Sequence, residues 1–75
     1  MPSLRKVTCV IEKEGSGYVS FCPDLDIASQ GSSPEEARQN LIEAVELFFE
    51  TADPQEMKER LATFVQSMPI EVRVG

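Results

Sequence analysis

The stretch Ser32 to Ala52, SSPEEARQNLIEAVELFFETA, constrains this chain more than any other. Ser33 has the chemistry of a helix N-cap, Pro34 suits the first turn, and Glu36 sits three residues after the cap. Ala37, Leu41, Ala44, Val45, Phe48 and Ala52 then recur at the spacing of one helical face. Ile42 and Phe49 widen that face beyond a coiled-coil seam. The added width fits either a broad core contact or a patch for another subunit. Asn40, Glu43, Glu46 and Glu50 form the polar side. A single amphipathic helix needs a sheet or a second helix to cover its apolar face, and the flanking segments supply candidates for both.

Before this helix the pattern has period two. Leu4 to Glu12 reads as a strand, with Val7, Cys9 and Ile11 on one side and Val10 as the apolar exception on the other. Glu14-Gly15-Ser16-Gly17 predicts a tight reversal, because glycine tolerates positive φ. These glycines match no phosphate-binding pattern, since they precede a strand and no GxxxxGK follows. Tyr18 to Cys22 reads as the second strand, stopped by Pro23. Its Tyr18, Ser20 and Cys22 share a side, an arrangement that fits ordinary packing. Asp24-Leu25-Asp26 is a short connector, and Ile27 to Gln30 a weak third strand ended by Gly31.

After the helix, Asp53-Pro54-Gln55-Glu56 repeats the capping logic. Met57, Leu61, Phe64, Val65 and Met68 predict a second helix from Pro54 to about Gln66, with a methionine-bearing face that fits either core or an adaptable surface. Pro69 ends it. Ile70, Val72 and Val74 alternate with Glu71 and Arg73, which predicts a final strand at a sheet edge or paired with another chain. The expectation is one α+β domain over residues 1–75, with element order β-β-β-α-α-β and a sheet that begins as three antiparallel strands.

Charge and residue types narrow the function. The 75 residues carry a formal charge of -6. That disfavours direct nucleic-acid binding and suits a basic protein partner. The core of so short a chain is thin, so self-association is expected to supplement it. Histidine is absent, which removes the commonest neutral-pH base and the Ser-His and Cys-His arrangements. Cys9 and Cys22 lack CxxC spacing and are expected to be buried free thiols. Asp24 and Asp26 stand two apart, so an extended connector would point both to one side, where they could hold a cation. No third ligand is recognisable, and the expectation is an acidic loop with no metal and no cofactor. No membrane-length or secretory segment is evident, which places the chain in the cytoplasm by default.

Glu14, Gly15, Gly17, Tyr18, Val19, Pro23-Asp24-Leu25, Gln30-Gly31, Ser33, Glu35-Glu36-Ala37 and Glu43-Ala44 together resemble the N-terminal domain of HicB-like antitoxins over about Val7 to Phe49. The resemblance implies a partial ribonuclease-H-like fold without nuclease activity. It also implies a non-catalytic module that neutralises a small, basic, RNA-cleaving HicA-like toxin by direct contact. Many members add a DNA-binding domain, which this chain is expected to lack. The family loop commonly continues with proline and glycine after PDL, whereas this one continues Asp26-Ile27. Asp24, Asp26, Glu43, Glu46 and Glu50 are the candidate partner contacts. The alternatives are a standalone homo-oligomeric domain with a structural or small-ligand role, and a weaker cation-dependent enzyme using Asp24 or Asp26.

Overall fold

The computed structural model describes residues 6–63 and 65–75. Three strands, β1 (Val10–Glu14), β2 (Gly17–Cys22) and β3 (Ile27–Gly31), form an antiparallel meander in the order β1-β2-β3. Two helices follow, α1 (Pro34–Thr51) and α2 (Pro54–Thr63). The predicted start of the first strand at Leu4 lies outside the described residues. Lys6 to Cys9 precede the paired region.

The β1–β2 turn has two central residues, with Glu14 opposite Gly17. Gly15 takes φ 61°. Positive φ at the first central residue alone is the type II′ pattern, whose twist matches the flanking strands. Residues opposite one another share a face. The register therefore puts Ile11, Ser20 and Ser29 on one face, with Cys22 beside Ile27. Val10, Phe21 and Ala28 lie on the other, with Glu12, Val19 and Gln30.

Helix α1 packs on the Ser20 face, over β3 and β2, and only grazes β1. Its start is closed by reciprocal caps. The Glu36 N–H donates to Ser33 Oγ at 3.1 Å, and the Glu36 carboxylate accepts from the Ser32 N–H at 3.1 Å. Ala37, Leu41 and Val45 are buried. Ser20, fully buried, donates its hydroxyl to the Ala37 carbonyl at 2.7 Å, which ties the central strand to the first turns of the helix. Gly31 lets this approach happen. A Cβ there would stand 2.5 Å from the Ala37 nitrogen and 2.8 Å from the Glu36 carbonyl carbon.

The core proper is Cys22, Leu25, Leu41 and Val45, with Val7, Ile27, Phe48, Phe49 and Leu61 packed around it. Leu25, read from the sequence as part of a connector, is completely buried. The chain turns at residues 23–26 instead of running extended, and the Leu25 N–H donates to the Cys22 carbonyl at 3.3 Å. That turn sends one apolar residue inward between two aspartates.

Helix α2 begins as the sequence predicts, with Asp53 Oδ1 accepting from the Glu56 N–H at 2.8 Å. It ends at Thr63 instead of continuing to Gln66. Phe64 lies outside the described residues. None of its described residues is fully buried. Arg60 anchors it. The guanidinium donates to the Leu25 carbonyl at 2.9 Å and stands 5.3 Å from the centre of the Phe48 ring.

The predicted final strand does not form within this chain. Residues 65–75 have no regular structure, and Val65, Met68, Ile70, Val72 and Val74 are all exposed. The alternation is real, but a strand exists only when an edge supplies its hydrogen bonds. Among the described residues no strand of this chain pairs with that segment.

Gly31→Ala forces backbone against backbone at the sheet–helix contact. It is expected to lower the unfolding free energy by about 1 to 3 kcal/mol, read by urea denaturation. Gly15→Ala strains only the hairpin turn and is expected to cost about 1 kcal/mol.

Candidate protein-binding surface

The five candidate contacts separate into two places. Glu43, Glu46 and Glu50 are exposed on α1. Their spacing of three and four residues sets them on one stripe, opposite Leu41, Val45 and Phe48. Glu35 and Glu36 extend the stripe toward the N-terminus, and both are exposed. Among the described residues no lysine or arginine forms an ion pair with Glu43, Glu46 or Glu50; the ion pair seen is Arg60 with Glu56 in α2, at 3.8 Å.

The last turn of α1 contains no basic residue. Carboxylates in the last turn of a helix oppose the macrodipole, so Glu50 costs the helix some stability. Within this acidic stripe stands Leu47, 58% exposed. An apolar side chain flanked by carboxylates, here Glu43 four residues before and Glu50 three after, has the make-up of a contact with an apolar anchor and a charged rim. Leu47 escaped the sequence reading because the helical pattern was followed from the apolar face, where Leu47 does not belong.

Asp24 and Asp26 do not point together. Asp24 is half-buried, and its Oδ1 accepts from the Thr8 N–H at 3.1 Å and faces the Cys22 thiol at 4.0 Å. It is a brace between the loop and the residues leading into β1. Asp26 is exposed with φ 56°, a left-handed conformation that aspartate tolerates, and its carbonyl accepts from Arg60 at 3.4 Å. The turn at 23–26 is the physical reason that the paired-carboxylate geometry of an extended segment is lost. Among the described residues no group of three or more His, Cys, Asp or Glu is placed to hold a metal ion.

The two cysteines differ. Cys9 is exposed, contrary to the expectation of two buried thiols, whereas Cys22 is buried. Burial pushes the Cys22 thiol above its ordinary value of 9.0, and the neighbouring Asp24 charge adds to the rise. Tyr18, Ser20 and Cys22 share the helix-facing side, as expected, with Ser20 and Cys22 fully buried.

Two grooves remain. One, of about 730 Å³, opens between the β2 start, the β3 end and the α1 start, beside Tyr18, Gln30, Glu36 and Asn40. Its lining includes Glu14 and Glu36 and no basic residue, so it does not present the charge that a phosphate needs. The other, of about 480 Å³, is an apolar depression along α2 at Met57 and Leu61. No described helix is long and apolar enough to cross a membrane.

The antiparallel meander, the capped helix over one face and the acidic outer stripe define a small α+β domain whose distinctive features are surfaces. The chain belongs to the UPF0150 proteins. It is 42% identical over 52 residues to a UPF0150 protein of Helicobacter pylori, a match covering 68% of this chain and 72% of that one. It is 50% identical over 46 residues to a UPF0150 protein of Synechocystis, covering 59% of this chain and 58% of the relative. No family model matches the chain, and no solved structure matches it.

Native-state labelling with a thiol reagent is expected to modify Cys9 quickly and Cys22 only on unfolding. The Cys22 thiol also sets a pH dependence. Its folded pKa is raised, so its contribution to stability is whole below 9.0. That contribution falls away as pH climbs through the higher folded value. Chemical denaturation across this alkaline range is expected to show the loss, and Cys22→Ala to remove that part of the slope.

Proposed function

We propose that this chain is a non-catalytic protein-binding module of antitoxin type. It neutralises a small, basic, RNA-cleaving toxin by covering the toxin's active surface. The observation that carries the reading is the outward stripe of α1. Glu43, Glu46 and Glu50 are exposed around Leu47, on a chain of net charge -6. Complementary charge speeds encounter with a basic partner and rejects acidic competitors, and a desolvated apolar anchor holds the complex.

The HicB-like resemblance supports the same reading through the hairpin glycines, the PDL turn and the capped start of α1. In this reading Asp24 acts by holding the PDL turn, with Leu25 inward, so that Asp26 is displayed beside Arg60. The last turn of α1 holds Glu50 and no basic residue, so a basic partner would relieve the charge that Glu50 places against the helix dipole.

The reading predicts a neighbouring gene for a small basic protein, and the test is co-expression with that protein, read by size-exclusion chromatography and rescue of growth. The expected result is a stable complex and restored growth. No complex together with no rescue overturns the proposal. The double variant Glu46→Lys, Glu50→Lys separates binding from folding. Through the change at Glu50 it is expected to stabilise the isolated chain by about 0.3 to 1 kcal/mol. It is also expected to weaken the complex by about tenfold or more. Unchanged affinity would remove the acidic stripe from the interface.

A further inference from the structure

Cys9 and Cys22 stand opposite one another at the end of the β1–β2 pair. Strand β1 sets Val10 opposite Phe21 and Ile11 opposite Ser20. One step further in the same register sets Cys9 opposite Cys22. The ladder stops at Val10 for a chemical reason. The next bond would need an N–H from Pro23, and proline has none. The Thr8 N–H donates instead to Asp24 Oδ1 at 3.1 Å, and that same oxygen faces the Cys22 thiol at 4.0 Å. The residue beside Cys9 is thus held one carboxylate oxygen away from the Cys22 sulfur. Val7 packs against the core that contains Cys22. Alternation along an extended chain puts Cys9 on the side of Val7 and Ile11, the side that Cys22 also takes.

The kind of pair matters. Glu14 and Gly17 close a two-residue hairpin, and such a closing pair exchanges hydrogen bonds. Bonded and non-bonded pairs then alternate away from the turn, which makes Cys9–Cys22 a non-bonded pair. Opposed residues of that kind bring their Cα atoms to about 4.5 Å, inside the roughly 4.4 to 6.8 Å that a disulfide spans. Access to the two sulfurs is divided. Helix α1 lies over β2 and β3 and only grazes β1. Cys22 is therefore fully buried while Cys9 is exposed. Burial pushes the Cys22 thiol up, and the charge of Cys9 is among the lesser causes, as neighbouring sulfurs require.

We propose that Cys9 and Cys22 form a reversible dithiol–disulfide site, in which the exposed thiol meets the oxidant and its buried neighbour resolves it. With glutathione disulfide as oxidant, the Cys9 thiolate attacks one sulfur and a glutathione thiolate leaves. The Cys22 sulfur, its proton given up, attacks the Cys9 sulfur and expels the second glutathione thiolate. Two protein thiols are oxidised, one glutathione disulfide is reduced to two thiols, and the two cysteine protons end on the two departing thiolates. The new S–S bond supplies covalently the cross-strand link that Pro23 cannot supply by hydrogen bonding. It ties the residues leading into β1, otherwise held there by the Thr8–Asp24 bond, to the central strand. This site is independent of the antitoxin reading, and its test needs no toxin.

The full-length chain is equilibrated with reduced and oxidised glutathione, in buffer and in concentrated urea, and read by intact mass and peptide mapping. Trypsin cuts after Lys13, between the two cysteines, so residues 7–13 linked to residues 14–38 report the bond. The expected product is a single 8.3 kDa chain that has lost two hydrogens and keeps no glutathione. Its effective thiol concentration is expected to be about tenfold or more higher in buffer than in urea. Cys9→Ser is expected to take up no glutathione, with α1 retained by circular dichroism. Adding Thr8→Cys to Cys9→Ser moves the thiol to the other face of the chain and is expected to weaken bond formation by about tenfold. Glutathione retained on Cys9 beside a free Cys22, bonds joining two chains, or uptake by Cys22 in Cys9→Ser would each overturn the proposal. So would equal effective concentrations with and without urea, or a bond formed equally well from position 8.

Discussion

The close approach of α1 to the sheet at Gly31, Ala37 and Ser20 is the constraint on which the rest of the structure depends. A missing side chain at Gly31 lets the helix backbone sit against β3. A buried hydroxyl at Ser20 then bonds the Ala37 carbonyl at that point. With the axis fixed there, Leu41 and Val45 fall over Cys22 and Leu25. The same placement turns Glu43, Glu46 and Glu50 outward. The inner half of α1 holds the fold and the outer half is free for other work. Polar burial is tolerated because the bond is satisfied; among the described residues no buried side-chain nitrogen or oxygen lacks a partner.

The second half of the chain is attached by different physics. Helix α2 has no fully buried described residue and, among the described residues, is held by Leu61 against the core and by Arg60, which serves two carbonyls of the PDL turn and the face of Phe48. A single guanidinium joins elements about 35 residues apart in sequence. Such a contact positions the helix without giving it a core of its own. Beyond it, the apolar tail and the lightly covered β1 edge remain outside the closed contact. In the proposed complex the acidic stripe is where a partner meets this chain.

Local signals made much of this legible. Ser33 and Asp53 cap the helices they were expected to cap, because a hydroxyl or carboxylate before Pro and three residues ahead of Glu acts within one turn of chain. Gly15 at the hairpin and Pro23 at the strand end act equally locally. Leu25 was not legible as core, because its burial follows from a turn that an extended reading of Asp24 and Asp26 denied. Gly31 read as a release point, but its decisive role is a contact with residues six positions away on the helix. The alternation at Ile70 to Val74 showed strand potential, but no described strand pairs with it. Of the candidate contacts, the three glutamates were readable from helical spacing, whereas the inward bonding of Asp24 depended on Thr8, far away in sequence.

Native-state hydrogen exchange on the isolated chain tests the central claim most directly, that one sheet–helix contact carries the fold and α2 is appended to it. The account predicts that amides of β2 and of α1 from Leu41 to Phe48 exchange only through global unfolding. Amides of α2 are predicted to exchange through local opening, at a lower free energy that falls further in Arg60→Ala. Protection of α2 equal to that of α1, and insensitive to Arg60→Ala, would contradict it.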